Sequence, residues 1–398
     1  MSGKRISSLR IYWRRMMNVE VLISGITSIT LPQIVMMVLG GLLIYLAIKK
    51  DMEPSLLLPM GFGAILVNMP FSGVLNQVMP GIGETTGIIA WMFEIGIEAA
   101  EALPLFLFIG IGAMIDFGPV LSNPRMLLFG AAAQFGIFLT FSVASLLGFD
   151  LRDAASIAII GAADGPTAIL VANVFKSNYL SAIAVAAYSY MALVPIIQPI
   201  AIKLVTNEKE RAMKMEYNPR GVSRTTRILF PIIVTIVAGL VAPASVALVG
   251  FLMFGNLIRE CGKLETLSKT AQNVLASLIT LFLGITIAYK MQASEFLTWE
   301  TLLIMALGLF AFVFDSISGV LFAKFLNLFL KGKNKINPMV GAAGISAFPM
   351  SARVVQKMGL EANDQNHLLM HAVGANVAGQ IASVVAGGII LALVPLLF

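Results

Sequence analysis

Apolar runs of roughly 17 to 25 residues recur along nearly the whole chain, each long enough to cross a bilayer core of about 30 Å as a helix. They fall near 27–48, 54–70, 87–118, 126–149, 155–175, 180–205, 228–258, 270–290, 299–330, 338–358 and 366–398. Lipid is therefore the solvent. A soluble core could not absorb this excess: 58% of the 398 residues are hydrophobic and 12% charged, with mean hydropathy +0.89. The expected fold is an all-α integral membrane protein of about nine to eleven hydrophobic segments, with two inverted repeats, broken helices and re-entrant hairpins.

The net charge of +6 does not point to nucleic acid, because the basic residues are confined to short stretches between apolar runs. The clusters Lys4 to Arg15, Lys203 to Arg227 and Lys331 to Lys335 read as cytoplasmic by the positive-inside rule, while Lys49 and Lys50 compete with the first of them. The chain divides into a basic extension (1–25), a first membrane half (26–206), a basic cytoplasmic linker (207–227) and a second membrane half (228–398). One cysteine, Cys261, excludes an internal disulfide and any CxxC metal spacing. The run from Thr27 to Ile48 is too long for a signal core and reads as a retained span.

Two interrupted segments correspond across the halves. The first reads Gly161-Ala162-Ala163-Asp164-Gly165-Pro166-Thr167, and the second runs from Gly341-Ala342-Ala343 through Ser346 to Pro349-Met350. Glycine and proline sit in both where a continuous helix would be harmed. In secondary transporters such paired interruptions mark discontinuous helices that meet at a midplane binding site. Prolines 54, 59 and 70, and Pro243 within the 228–258 run, mark further breaks, the last dividing its run into two half-length pieces.

Asp164 lies nine residues into its run, about 14 Å deep at helical rise. An unpaired carboxylate there costs at least about 2.5 kcal/mol, so it needs a cation or a proton. A Gly-Pro break frees carbonyl oxygens that suit a hard cation such as Na+; the alternative is a helix-capping Asp at a kink. Asp116 and Asp315 are the other acidic residues in apolar surroundings, Asp116 reading as a helix-end residue and Asp315 as either an ion ligand or a structural hydrogen-bonding group. Arg353 is costly in such a place unless it meets an anion, and its planar fork suits a carboxylate; the alternative is an interfacial, snorkelling arginine. Tyr188, Tyr190 and Asn376 are further polar candidates within apolar runs. His367 and His371 sit four apart with no acidic or cysteine partner. No Walker A sequence, dinucleotide fingerprint or nucleophile elbow is present, so energy comes from an ion gradient, a partner subunit or a chemical step.

At Gly161 to Thr167, Ala184 to Pro199, Asn337 to Arg353 and Leu368 to Gly379, the chain resembles the beta subunits of the biotin-dependent, sodium-pumping decarboxylases. That family includes the oxaloacetate, methylmalonyl-CoA, glutaconyl-CoA and malonate decarboxylase membrane subunits, and the likeness runs from about residue 25 to the C-terminus. The resemblance implies a multi-pass cell-membrane translocase that decarboxylates carboxybiotin, consumes a proton and exports Na+. It also implies a biotin-carrier subunit, a carboxyltransferase alpha subunit and a small single-span gamma or delta subunit as partners, in a complex holding several copies of this chain. By the same resemblance Asp164, Asn376 and Ser346 ligate Na+, Arg353, Asn337 and Gly341 form the carboxybiotin site, and Arg353, Tyr190 and Ser346 carry the chemistry. A sodium-coupled secondary transporter or sodium/proton antiporter without decarboxylation is the alternative that broken helices alone also fit.

Overall fold

The computed structural model describes residues 24–50, 54–79, 81–99, 101–216 and 221–397. The cluster Lys4 to Arg15 lies outside them. The chain opens with a helical pair, α1 (Leu31–Lys50) and α2 (Pro54–Asn68), whose backbones touch at Gly40 and Gly61. A short antiparallel hairpin follows, β1 (Asn76–Met79) and β2 (Gly83–Thr86), with Asn76 opposite Thr86. Nothing in the apolar pattern announced it.

Next, α3 (Ile88–Phe93) widens through Glu94–Ala99 and meets α4 (Ala102–Met114) at a 70° bend. After α5 (Gly118–Ser122), α6 (Met126–Ala133) and α7 (Phe135–Leu146) together make a 21-residue span. The first broken segment is α8 (Leu151–Ala158), a tight turn over Ile159–Ala162, and α9 (Gly165–Val174). It leads into α10 (Leu180–Val205), which bends by 73° midway, and then α11 (Glu208–Arg211).

The second half begins with α12 (Arg224–Val241) and α13 (Val246–Glu260), separated by a turn at Pro243–Ser245. Then come α14 (Glu265–Thr270), α15 (Ala276–Ile287), α16 (Ala293–Phe296) and the 31-residue α17 (Trp299–Phe329). The second broken segment is α18 (Met339–Ala342), an irregular stretch and α19 (Met350–Ala362), and α20 (Leu369–Leu393) closes the chain.

Among the described residues six helices are long and apolar enough to cross a membrane, or eight if each bent pair is one span. The eleven apolar runs thus do not become eleven spans. Helices α2 and α9, at 15 and 10 residues, fall short of spanning length. Conversely, α12 begins at Arg224, before its apolar run, and reaches 18 residues, so Pro243 does not leave two half-length pieces as expected. The extra turn comes from Ser223, whose hydroxyl accepts the Thr226 N–H at 3.1 Å and caps the helix.

Helix α17 is the hub, packing against α6, α7, α10, α18 and the Ile159–Ala162 turn. Small residues allow this closeness, as they do where lipid supplies no hydrophobic drive between helices. Gly319 of α17 and Gly341 of α18 face each other so tightly that a Cβ on Gly341 would lie 1.9 Å from the Gly319 carbonyl oxygen.

The stretches near residues 203–216 and 331–337 share one end of the molecule. Asn337 Nδ2 donates to the carbonyls of Arg211 and Met213 at 2.9 and 2.8 Å, and Lys324 pairs with Glu210 at 2.9 Å. Partial burial pushes the Glu210 carboxyl up, but the Asn207 N–H and the Lys324 ammonium outweigh it and hold the group below its ordinary range. At another point Asp116 accepts the Gly118 N–H and pairs with Arg227 and Arg259, which also reach Glu260. Asp116 is therefore an ion-paired residue just beyond the end of α4.

We expect Gly341→Ala to force α17 and α18 apart and to cost about 3 kcal/mol or more, as severe overpacking does. Gly41, with nothing within 4 Å of a built Cβ, is the control: thermal melting in detergent should fall sharply for Gly341→Ala and stay unchanged for Gly41→Ala.

Candidate functional site

The first break is made by the backbone. Ala163 takes the left-handed conformation (φ 53°), ending the Ile159–Ala162 turn, and Gly165-Pro166 restarts the chain as α9, with proline in the first turn where its missing N–H is harmless. Asp164, between them, caps α9. Its Oδ1 accepts the Thr167 N–H at 3.3 Å, and its Oδ2 accepts the Thr167 hydroxyl and the Ser383 hydroxyl, both at 2.8 Å. The side chain is 4% exposed, and among the described residues no lysine or arginine pairs with it. Three donors and the positive end of α9 thus do part of the work that a cation would complete. Capping and ion binding are compatible here, because the cap leaves lone pairs on both oxygens.

The second break docks onto the first. Ser346 donates twice to the Ala162 carbonyl, from its N–H at 3.1 Å and its hydroxyl at 2.7 Å, two residues before Asp164. The helices that follow each break then reach across to the other. Ser383 of α20 bonds Asp164 in the first break, and Gln198 of α10 donates to the Ala342 carbonyl at 2.8 Å and to Ser351 Oγ at 2.6 Å in the second. This reciprocity binds both breaks into one unit.

Along α20, Asn376, Gln380, Ser383 and Gly387 are buried and lie on one face by their spacing. Gly387 lets Thr167 approach, a built Cβ falling 2.7 Å from the threonine methyl. Asn376 Nδ2 donates to the Ile345 carbonyl at 2.6 Å, while its Oδ1 is buried with no partner among the described residues. An amide oxygen left unsatisfied in the interior costs about 1–3 kcal/mol and wants a donor or a cation. Asn376 and Ser383 are seven residues apart, about 10 Å along the helix. Asp164, bonded to Ser383, and Asn376 therefore stand about two helical turns apart along α20, and Asn376 is tied to Ile345, next to Ser346.

The remaining sequence candidates are placed differently. Tyr190 is nearly buried on α10, its ring against Gly308 and its hydroxyl donating to the Met305 carbonyl of α17. Tyr188 lies closer to the carboxylate: its ring packs on Gly165 and its buried hydroxyl has no partner among the described residues. Arg353 is in the first turn of α19, exposed, between buried Ala352 and Val354, and forms no ion pair with the described residues. Asn337 is committed to the backbone, its Oδ1 accepting the Met339 N–H while its amide nitrogen holds Arg211 and Met213. Gly341 supplies the close approach to α17. His367 precedes α20 and His371 lies within it, so the pair does not share a helical face, and no set of three metal-ligating His, Cys, Asp or Glu residues occurs among the described residues. Ser383 was not singled out from sequence, while Thr167 and Gln198 stood there only within the Gly161 to Thr167 and Ala184 to Pro199 strings, without a role. Ser383 was discoverable as the residue two turns beyond Asn376, whereas the bond from Gln198 crosses between halves and leaves no local signature.

Oxygen donors gathered at a buried carboxylate suit a hard monovalent cation such as Na+. We expect Ser383→Ala, which removes one hydrogen bond to a charged group worth about 1.5–3 kcal/mol, to raise by about tenfold or more the Na+ concentration giving half-maximal thermal stabilisation. Asp164→Asn should abolish the Na+ effect.

Comparison with known proteins identifies the family of the chain. Residues 32–394 match the model of the family described as the Na+-transporting oxaloacetate decarboxylase beta subunit. The methylmalonyl-CoA decarboxylase subunit beta of Propionigenium modestum is 46% identical, the alignment covering 93% of this chain and 97% of that one. The corresponding subunit of Veillonella parvula is 47% identical over 93% and 95%, and the oxaloacetate decarboxylase beta chain of Haemophilus ducreyi 44% over 92% and 96%. This multi-pass membrane protein therefore belongs to the family of beta subunits of Na+-transporting decarboxylases.

Proposed function

We propose that the chain decarboxylates carboxybiotin presented by a biotin-carrier subunit, consumes a proton in doing so, and couples the step to Na+ export. The observation that carries this reading is the enclosure of Asp164 by hydroxyl and amide donors, with no basic side chain paired to it among the described residues, at the meeting of two broken segments. Such a site accepts one positive charge, Na+ or a proton, and their competition is the physical basis of coupling. Na+ is held by Asp164 and passes Ser346 and Asn376 along the face of α20.

Arg353 supplies the other half. It projects from the first turn of α19 on an exposed face, where its guanidinium and the positive helix end both favour a carboxylate. Holding the carboxylate of carboxybiotin there leaves the bond between its carbon and the ureido nitrogen free to break. The bonding pair stays on nitrogen, CO2 departs, and nitrogen takes up a proton. Tyr190 relays that proton, leaving the Met305 carbonyl as it does so. Asn337 and Gly341 hold the second break in register beneath Arg353.

Carboxybiotin must come from partners. A biotin carrier, a carboxyltransferase alpha subunit and a small single-span gamma or delta subunit complete the complex, with more than one copy of this chain. The two membrane halves, 26–206 and 228–398, act as the two sides of the coupled site.

Reconstitution of the whole complex into vesicles tests this. Substrate decarboxylation should drive Na+ uptake, avidin should stop both, and Asp164→Asn should lose both. Arg353→Lys, which gives up one charge-assisted hydrogen bond of about 1.5 kcal/mol, should slow decarboxylation roughly tenfold while Na+-dependent stabilisation persists. Full-rate decarboxylation without Na+ would break the coupling, and Na+ movement insensitive to avidin would favour the secondary-transporter reading.

A further inference from the structure

A second buried carboxylate lies in the same bundle and has no part in the site above. Asp315, midway along α17, is 0% exposed, and neither of its oxygens has a hydrogen-bond partner among the described residues. The N–H groups of Gly136 and Ile137, in the first turn of α7, face it. Its enclosure is made by glycines. A Cβ on Gly136 of α7 would lie 2.4 Å from Asp315 Oδ1, and one on Gly161 of the first broken segment 2.6 Å from Oδ2.

Gly136 and Gly161 thus close directly on its two oxygens. An ionised carboxylate with no side-chain donor and no paired counter-ion costs at least about 2.5 kcal/mol at such depth, and buried groups of this kind neutralise instead. Asp164 and Asp315 thus occupy different settings, one held by two side-chain hydroxyls and one with no side-chain partner among the described residues, and such a contrast separates acid and base roles between two carboxyls. Among the described residues, α6, α7 and α18, which pack against α17, carry no titratable residue. The nearest titratable groups elsewhere are Asp164, three residues beyond Gly161, Tyr190 beside Gly308, Arg152 and Asp153 at the far end of α8, and Lys324, which is paired with Glu210.

We propose that Asp315 is a second proton-binding site, neutral while Gly161 is packed against it and exchanging its proton when the first break moves. Because Gly161 and Asp164 share that break, opening it to release Na+ uncovers Asp315 at the same time. This goes beyond the carboxybiotin reading, and its spectroscopic test does not depend on that reading.

The measurement is an infrared difference spectrum of the purified complex, wild type minus Asp315→Asn, at neutral pH with and without Na+. We expect the C=O band of a neutral carboxylic acid, missing in the variant under both conditions; a carboxylate band in either would overturn the proposal. If Asp315→Asn does not fold, Asp315→Glu should shift the same band, and an unshifted spectrum would equally overturn it. In vesicles, Asp315→Asn that melts like wild type should lose Na+ uptake and the wild-type pH profile. Retention of both would make Asp315 a fixed structural acid, contradicting exchange.

Discussion

A carboxylate held inside a membrane protein with donors around it and no basic partner is the constraint on which the rest of this structure depends. Asp164 is stable there only because Ala163 turns the chain left-handed, Gly165-Pro166 restarts it, and Thr167 and Ser383 point their hydroxyls at Oδ2. Those bonds compensate desolvation but leave the charge unneutralised. The site thereby favours one positive charge that no described side chain supplies.

The breaks also need each other. Ser346 closes on the Ala162 carbonyl, α20 sends Ser383 to the first break, and α10 sends Gln198 to the second. Gly341 against Gly319, Gly344 against Phe129 and Gly379 against Gly344 permit main chains to touch where any side chain would separate them. A displacement of one break is in this way felt at the other. That mechanical link connects the break that holds Asp164 with the break that leads into α19 and Arg353.

Much of this was legible in the sequence, for identifiable reasons. Apolar run length announced the membrane, and a buried Asp followed by Gly-Pro announced the break, because both signals are local. Span count was less legible: α2 and α9 are apolar yet too short, and the start of α12 was set by a polar cap at Ser223 that hydropathy does not register. The β-hairpin at 76–86 was invisible because its strands carry little apolar alternation. Within the site, Asp164, Ser346 and Asn376 were named from sequence, whereas Ser383 and Gln198 depend on contacts across 219 and 144 residues. Tyr188 illustrates the same limit from the other side: spacing alone did not say which of two tyrosines packs on Gly165.

Competition between Na+ and a proton for one buried carboxylate is the central claim, and Na+ titrations of the purified complex at several pH values test it most directly. The account predicts that the Na+ concentration for half-maximal thermal stabilisation rises as pH falls in wild type, and that Asp164→Asn shows no Na+ response at any pH. A half-saturating concentration independent of pH, or an unchanged Na+ response in Asp164→Asn, would contradict it.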